Sequence, residues 1–344
     1  MEATYKRYLL KFKHPGGTSR GFLQEKETWF IFLKDGTKRG IGECGLFRGL
    51  SADDRPDYES KLKMLCNQIN INEKVSLEAL KNFPSIQMGY EMAILSLKGK
   101  NPFELFPSKF TEGNESISIN GLIWMGEIDF MKAQIKQKIN EGFNCLKLKI
   151  GALPFEKELK LLEEIRNEFS MNQIIIRVDA NGGFYPHDVM DKLIKLANLD
   201  IHSIEQPIRA NQRISMSSIC SNSPIPVALD EELIGIFDPL DRKKLLDQVS
   251  PQYIILKPSL LGGFKSCEHW IELADQRSIG WWVTSALESN IGLNAIAQWT
   301  YQLGVSSHQG LGTGDLFTNN IDSPLQVKLG QLNFNNNIGW STKF

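Results

Sequence analysis

Charged and hydroxyl side chains recur where short apolar runs end in the second two thirds of the sequence. In segment 174–183, IIIRVDANGG, the apolar run ends on Asp179 and a turn signal follows. Comparable residues occur at intervals of 25 to 30 residues: Lys149, Asp179, Glu205, Asp230, Lys257 and Ser285. One strand-helix unit of a closed barrel has about that length, so we expect these residues at one level of successive strands.

Three of these residues are carboxylates whose expected arrangement suits a metal ion. Neighbouring parallel strands lie about 4.8 Å apart, so Asp179, Glu205 and Asp230 would repel one another strongly without a cation among them. Carboxylate oxygens that converge from one side suit Mg²⁺, with Mn²⁺ as an alternative. Each acid alone could instead cap the following helix, but three in register favour the metal site.

Three lysines complete the candidate catalytic set. Lys147 and Lys149 alternate with Leu148, so both should point into the barrel mouth, and Lys257 should lie across it. A lone lysine at a strand end is normally solvated. A lysine crowded by another and partly desolvated is instead expected to have a lowered pKa, and its neutral amine can act as a base. With a divalent cation to stabilise an enediolate, this set predicts abstraction of a proton α to a carboxylate.

The elements that must position these residues alternate between apolar runs and amphipathic stretches such as 154–169. Eight runs recur, at 116–123, 144–150, 173–179, 201–207, 225–231, 252–258, 280–286 and 303–309. Such alternation implies parallel strands with right-handed crossovers, and eight runs in about 200 residues predict an α/β fold with a (β/α)-barrel, a modified TIM barrel. An open doubly wound sheet is the alternative, but no G-x-G-x-x-G follows the first run.

The first third of the chain has a different pattern. Segments 8–15 and 27–45 predict strands with a turn at Asp35 and Gly36, and 59–69 and 85–100 predict helices. We therefore expect an α+β unit over 1–112, the barrel over 113–315, and a C-terminal segment, 316–344, that packs back on the first unit.

Composition limits the classes of partner. The 344 residues carry 39 Lys and Arg against 40 Asp and Glu, a net charge of −1, so neither nucleic acid nor an anionic membrane is an expected partner. No run has the length of a signal peptide core or a membrane span, which predicts a cytoplasmic protein. The five cysteines stand far apart, which suggests neither disulfides nor a zinc site, and we expect most of them to be buried. A small-molecule carboxylate is the expected substrate, and the oligomeric state stays open.

These motifs together resemble the muconate-lactonising subgroup of the enolase superfamily. They are K-x-K at 147–149, V-D-A-N at 178–181, E-Q-P at 205–207, L-D-E at 229–231 and the lysine of LKPSLLGG at 257. GIGECG at 40–45 and residues 83–99 are similar to the N-terminal capping domain of that superfamily. Within the subgroup, SSHQGLGTGDLFTNNIDSPL at 306–325 is most similar to the o-succinylbenzoate synthase family.

The resemblance implies an enolase-like capped barrel and a specific reaction. The reaction is the Mg²⁺-dependent dehydration of 2-succinyl-6-hydroxy-2,4-cyclohexadiene-1-carboxylate in menaquinone biosynthesis, by a lyase with an enediolate intermediate. Lys149 would remove the α-proton and then assist departure of the hydroxyl, with Lys257 on the opposite face. Asp179, Glu205 and Asp230 would bind the metal.

Two further residues are candidate substrate contacts. Ser285 would contact the succinyl tail, and Arg20, in the glycine-rich loop 14–21, could meet an anionic substrate when the loop closes. An exposed hairpin with a solvated arginine is an equally good interpretation of that loop.

Four other functions remain open at this point. An N-acylamino-acid racemase or a dipeptide epimerase would use the same two opposed lysines. Dipeptide epimerases of this subgroup commonly carry Asp-x-Asp at the eighth strand, whereas GLGTGDLF has only Asp315, which disfavours them, and the same loop weakly disfavours muconate cycloisomerisation. A non-catalytic binding protein on a barrel scaffold is disfavoured because all the catalytic and metal positions are intact.

Overall fold

An antiparallel sheet and two helices form the N-terminal part of the computed structural model, which describes residues 1–18 and 21–341. Strands β1 (Glu2–Thr18), β2 (Gly21–Asp35) and β3 (Lys38–Cys44) pair in that order. Helices α1 (Tyr58–Asn70) and α2 (Pro84–Lys98) follow, with a 3₁₀ turn at Leu77–Leu80 between them. The predicted α+β content and the turn after Asp35 are confirmed.

Successive side chains of β2 belong to different hydrophobic clusters. Trp29 and Ile31 pack in the cluster that contains α1, whereas Phe30 packs in the large cluster that includes the barrel core. Strand side chains alternate between two faces, so this small sheet joins its own helices to the barrel. The backbones of β3 and α2 are in close contact, since a Cβ atom on Gly42 would lie 1.8 Å from the carbonyl oxygen of Gly89.

Seven parallel strands form the central sheet. In chain order they are β5 (Gly121–Ile123), β6 (Cys145–Lys149), β7 (Ile175–Asp179), β8 (Ser203–Glu205), β9 (Val227–Leu229), β10 (Tyr253–Leu256) and β11 (Gly280–Val283), each paired with the next. The helices between and after them are α3 (Ile128–Asn140), α4 (Phe155–Glu168), α5 (Val189–Ala197), α6 (Arg213–Asn222), α7 (Pro239–Val249), α8 (Pro258–Leu261), α9 (Phe264–Asp275) and α10 (Asn290–Gln302). Short 3₁₀ turns lie at Glu231–Leu233 and Gly314–Leu316. The order of the strands confirms the α/β barrel class.

The prediction of an eighth strand over 303–309 is wrong in its extent. Only Gln309 and Gly310 pair with the sheet: Gln309 forms a parallel bridge to Ile119, and Gly310 forms one to Thr284. The amides of Gln309 and Gly310 donate to the carbonyls of Ser118 and Val283 at 2.8 Å each. These two residues therefore connect the two edges of the seven-stranded sheet, and backbone pairing rather than apolar pattern marks the connection.

The C-terminal segment forms a hairpin that the sequence pattern did not predict. Strands β12 (Leu325–Lys328) and β13 (Gln331–Phe334) pair antiparallel, and β13 also pairs with β4 (Ile117–Ser118), which separates from β5 although 116–123 was predicted as one run. Trp340 stacks on Phe103 with ring centroids 4.3 Å apart. The segment thus contacts the barrel through β4 and the N-terminal unit through Phe103. The domain boundaries at 112 and 315 stay predictions.

Two predictions from composition concern the whole described chain. All five cysteines are buried free thiols, as expected. Within 1–18 and 21–341, no helix combines the length and the apolar character that crossing a membrane would require.

Candidate active site

The backbone register brings the predicted polar residues to one end of the sheet. Lys149 pairs with Asp179, and Asp179 pairs with Glu205, so these residues are direct neighbours across three strands. Glu205 pairs with Ala228 of β9. Asp230 lies two residues after Ala228 and directly follows Leu229, the last residue of β9. Lys257 likewise follows β10 directly. All of them lie at the carboxyl ends of parallel strands, the end where barrel enzymes carry their chemistry.

Each candidate lysine contacts a candidate metal ligand. Lys149 Nζ lies 2.6 Å from Asp179 Oδ2, and Lys147 Nζ lies 2.9 Å from the same oxygen. Lys147 also donates to Glu205 Oε1 at 2.7 Å, and Lys257 donates to Asp230 Oδ2. Three carboxylates and three ammonium groups thus form one largely buried cluster. Because every ion in it has an oppositely charged neighbour, the desolvation of these groups is compensated.

The charges of the cluster shift the pKa values of its carboxyls in opposite directions. Burial alone would raise the pKa of Asp179, but the ammonium groups of Lys147 and Lys149 outweigh burial and hold that pKa well below its usual range. Burial raises the pKa of Glu205 to about 8, and the charge of Asp179 adds to the effect. Burial is thus the larger cause of the raised pKa, and repulsion from the neighbouring carboxylates adds to it.

The expectation that crowding by a second lysine lowers the pKa is wrong for Lys147. Burial lowers the pKa of Lys147, but the charges of Asp179 and Glu205 outweigh it, and the net pKa is raised. The pKa of Lys257 is also raised, because Asp230 and Glu205 outweigh burial. The prediction considered repulsion between the lysines and omitted the carboxylates. These carboxylates lie in direct contact with the ammonium groups.

The donor set suits a hard divalent cation, although its side chains now contact ammonium groups. Within the described ranges, no group of three or more His, Cys, Asp or Glu side chains converges as a metal site does. Glu205 Oε2 is buried and has no hydrogen-bond donor among the described residues, though Lys147 Nζ lies 2.6 Å away in a geometry unlike a hydrogen bond. Carboxylate oxygens are the hard ligands that Mg²⁺ prefers in proteins. The ligand roles of the three acids stay predictions.

A cavity lies directly against this cluster. Its empty volume, including the open mouth, is about 720 Å³, and Lys147, Lys149, Asn181 and Lys257 line it. Its apolar lining comes from both parts of the chain: Leu23, Phe47, Leu50, Leu122, Leu260 and Leu287. A concave, mostly apolar cavity with a few convergent polar groups is typical of a small-molecule site.

Of the two predicted substrate contacts, Ser285 and Arg20, the structure describes only Ser285. Ser285 lines the cavity, but its contact with a substrate stays a prediction. Arg20 lies outside the described residues. The strand residues on either side of position 20 form the β1–β2 hairpin, where Gly17 accepts a hydrogen bond from the Met125 amide at 3.3 Å. A Cβ atom on Gly17 would lie 2.2 Å from the Met125 carbonyl oxygen, so only glycine fits this contact.

Sequence reasoning missed two polar residues in the cavity wall. Asn120 and Thr284 line the cavity and flank the connecting residues Gln309 and Gly310. Asn120 is buried and Thr284 is half-buried. Asn120 Oδ1 and Thr284 Oγ1 have no hydrogen-bond partner among the described residues. Buried polar atoms are normally paired, so these two atoms are available to a ligand. Thr284 precedes Ser285 directly, and attention to the whole strand end would have found it.

Comparisons with known proteins identify the family. Residues 130–344, more than half of the chain, match the family model described as enolase C-terminal domain-like. The chain belongs to this family. Membership confirms the resemblance to the enolase superfamily that the motifs indicated, and it agrees with the capped barrel.

Individual relatives extend the match over nearly the whole chain. The o-succinylbenzoate synthase of Desulfotalea psychrophila is 46% identical, over 96% of this chain and 98% of the relative. A crystal structure of MenC from Desulfotalea psychrophila LSv54 has a TM-score of 0.87 at 43% identity and covers 97% of this chain and 99% of its own.

A dipeptide epimerase from Enterococcus faecalis V583, solved in complex with Mg and the dipeptide L-Leu-L-Tyr, has a TM-score of 0.80. It covers 97% of this chain and 96% of its own, but only 16% of the residues are identical. At that identity the likeness is one of fold alone.

Proposed function

We propose that this protein is an o-succinylbenzoate synthase, a lyase that dehydrates 2-succinyl-6-hydroxy-2,4-cyclohexadiene-1-carboxylate in menaquinone biosynthesis in the cytoplasm. One observation carries the proposal: the chain is 46% identical, over 96% of its length, to a protein of that name. The arrangement of lysines and carboxylates at the cavity is the kind of site that proton abstraction next to a carboxylate requires.

The two lysines would act on opposite faces of the substrate ring. Lys149 would take the proton from the carbon that bears the carboxylate, which leaves an enediolate. The ammonium group so formed would return a proton to the departing hydroxyl, and water and the aromatic product result. Lys257 would stabilise the enediolate from the other face, and Lys147 would hold Asp179 and Glu205 in place through its contacts with both.

Asp179, Glu205 and Asp230 would hold Mg²⁺. When bound, Mg²⁺ supplies positive charge that stabilises the enediolate oxygens. Binding of the cation to the carboxylates would also weaken their hold on the lysine ammonium groups.

A dipeptide epimerase or an N-acylamino-acid racemase is the second candidate, since it would use the same opposed lysines. The dipeptide epimerase described above shares the fold at 16% identity, far below the identity to the o-succinylbenzoate synthase. Dehydration is therefore the preferred reaction.

Incubation with three classes of substrate tests the proposal. The protein is incubated with the cyclohexadiene carboxylate, with N-succinyl amino acids and with dipeptides, each with Mg²⁺ and with EDTA. We expect aromatic product from the first, recorded by ultraviolet absorbance, and its loss with EDTA. Turnover of only the amino acid derivatives, or of no substrate, would refute the proposed reaction.

A lysine variant and its control test the catalytic assignment. Lys149→Ala should abolish turnover because it removes the proposed base. Lys195→Ala is the matched control, since Lys195 forms an exposed ion pair with Glu156 on the outer helices. It should leave turnover unchanged, and equal activity in both variants would exclude Lys149 as the base.

A further inference from the structure

Two carboxylates outside the candidate catalytic set are completely buried where the N-terminal sheet meets the barrel. Glu43, on β3, and Glu288, before α10, are both 0% exposed. Lys26, on β2, is the cation whose charge interacts with both, and it is itself 5% exposed. Burying two carboxylates beside one ammonium group is costly unless hydrogen bonds satisfy the carboxylate oxygens. The hydrogen-bond donors of each carboxylate therefore identify the segments that it joins.

Glu288 connects two segments of the candidate active site. Its Oε1 accepts a hydrogen bond from Ser259 Oγ at 2.5 Å. Its Oε2 accepts from Ser285 Oγ at 2.6 Å and from the Ala286 amide at 2.7 Å. Ser259 lies in α8, the turn that begins directly after Lys257, whereas Ser285 and Ala286 line the cavity.

The position of Lys257 depends on the turn that Glu288 holds. The amides of Leu260 and Leu261 donate to the Lys257 carbonyl at 2.9 and 3.1 Å, so the backbone of Lys257 is part of that turn. Ser259 is completely buried, and its hydroxyl contact with Glu288 limits movement of the turn relative to the cavity wall. Bonds to a carboxylate are about twice as strong as neutral ones.

Glu288 also determines what the hydroxyl of Ser285 can offer. Ser285 Oγ donates its single proton to Glu288 Oε2. Ser285 Oγ in turn accepts from Thr313 Oγ1 at 2.9 Å and from the Leu287 amide at 3.1 Å. With its proton and both lone pairs engaged, Ser285 has no free donor for a substrate in this arrangement.

We propose that Glu288 is a positioning residue that joins the Lys257 turn to the cavity wall and thereby sets the distance between the lysine and the bound substrate. The inference rests on the proposed function, because it assigns Glu288 a part in that reaction. Glu288 does not line the cavity and reaches the site through its bonds with Ser259, Ser285 and Ala286.

Glu43 offers a matched control within the same interface. Its oxygens accept from Thr28 Oγ1 at 2.8 Å, from Ser289 Oγ at 2.5 Å and from the Gly292 amide at 2.8 Å. None of these partners lines the cavity or belongs to the turn after Lys257. Glu43→Gln and Glu288→Gln therefore make the same chemical change at equal burial, and only the second reaches the candidate site.

The experiment compares Glu288→Ala, Glu288→Gln, Glu43→Gln and Ser259→Ala with the parent by steady-state kinetics on the cyclohexadiene carboxylate and by thermal unfolding. Both glutamine variants should unfold at lower temperature. Glu288→Ala should lower kcat about tenfold to hundredfold, since a small misplacement of a catalytic group has that effect. Glu288→Gln keeps one acceptor oxygen and should retain part of the activity.

The remaining two variants separate positioning from general stability. Ser259→Ala removes only the bond to the Lys257 turn, so kcat should fall while KM stays within about twofold of the parent. Glu43→Gln should leave both kcat and KM within about twofold of the parent despite its lower unfolding temperature. If Glu43→Gln lowers kcat as much as Glu288→Gln, or if Glu288→Gln and Ser259→Ala keep the parent's kcat, the inference is overturned.

Two outcomes keep this result distinct from a failure of the proposed function. If the parent turns the substrate over and the Glu288 variants match it, only the inference fails. If the parent shows no turnover, the proposed function fails and the inference with it. Should the Glu288 variants not fold, Ser259→Ala decides, and an unchanged kcat in that variant overturns the inference.

Discussion

Glu91 gives the contact between the N-terminal unit and the barrel a dependence on pH. This residue of α2 reaches the first turn of α9, where its Oε2 accepts from the Phe264 amide at 2.7 Å and its Oε1 from the Lys265 amide at 3.2 Å. Burial raises the pKa of Glu91 to about 7, although the two amides favour the ionised form, and the charge of Glu268 raises the pKa further while that of Lys265 lowers it.

The direction and size of the effect follow from that pKa. A carboxyl whose pKa is higher in the folded than in the unfolded protein adds stability that is complete below the unfolded value of 4.5 and is lost as the pH rises through about 7. One pKa unit corresponds to about 1.4 kcal/mol. Most of this stabilisation, about 2 to 3 kcal/mol, is therefore lost between about pH 5 and pH 8.

Urea unfolding of the parent and of Glu91→Gln at pH 5 and pH 8 measures the effect. Glutamine does not titrate, so the difference between the two proteins isolates Glu91 while all other titrations cancel. EDTA in every sample removes any contribution from bound metal. The parent should lose about 2 to 3 kcal/mol relative to the variant between the two pH values. A constant difference, or one that grows in favour of the parent as the pH rises, would refute the reasoning.

Three further predictions concern the metal site, the packing and the C-terminal segment. Asp230→Asn should weaken Mg²⁺ binding by at least about tenfold in calorimetry; unchanged affinity would remove this residue from the ligand set. Gly42→Ala should lower the free energy of unfolding by about 3 kcal/mol, because the new Cβ would lie 1.8 Å from the Gly89 carbonyl oxygen; a stable variant would contradict that contact. Trp340→Ala should cost about 1 to 2 kcal/mol through lost stacking on Phe103 and leave kcat unchanged; a fall in kcat would show that the segment affects catalysis.

Much of the candidate site follows from local pattern. The repeat length of the strand-helix units predicted that Asp179 and Glu205 would be neighbours, and they pair directly. Alternation along one strand predicted that Lys147 and Lys149 share a side, and both contact Asp179. Such predictions succeed because parallel strands of equal repeat length meet at the same end of the sheet.

Other features depend on chain segments that no local pattern connects. Residues 303–308 were predicted as part of a strand but form none, because the sheet edges are joined through the backbone of Gln309 and Gly310. The pKa of Lys147 is raised rather than lowered because carboxylates from two other strands surround its ammonium group. Glu288 gave no signal in the sequence, since its partners Ser259 and Ser285 converge on it only in the folded chain.

The amino-acid sequence by itself determined the alternation of strands and helices in the barrel, the barrel class and the end of the sheet at which charged residues collect. It could do so because side-chain periodicity and repeat length are properties of neighbouring residues. Only the tertiary structure decided the sign of each pKa shift, the way the sheet edges meet and the partners of the buried carboxylates. Those outcomes depend on distances and desolvation between residues far apart in the chain, and these exist only after folding.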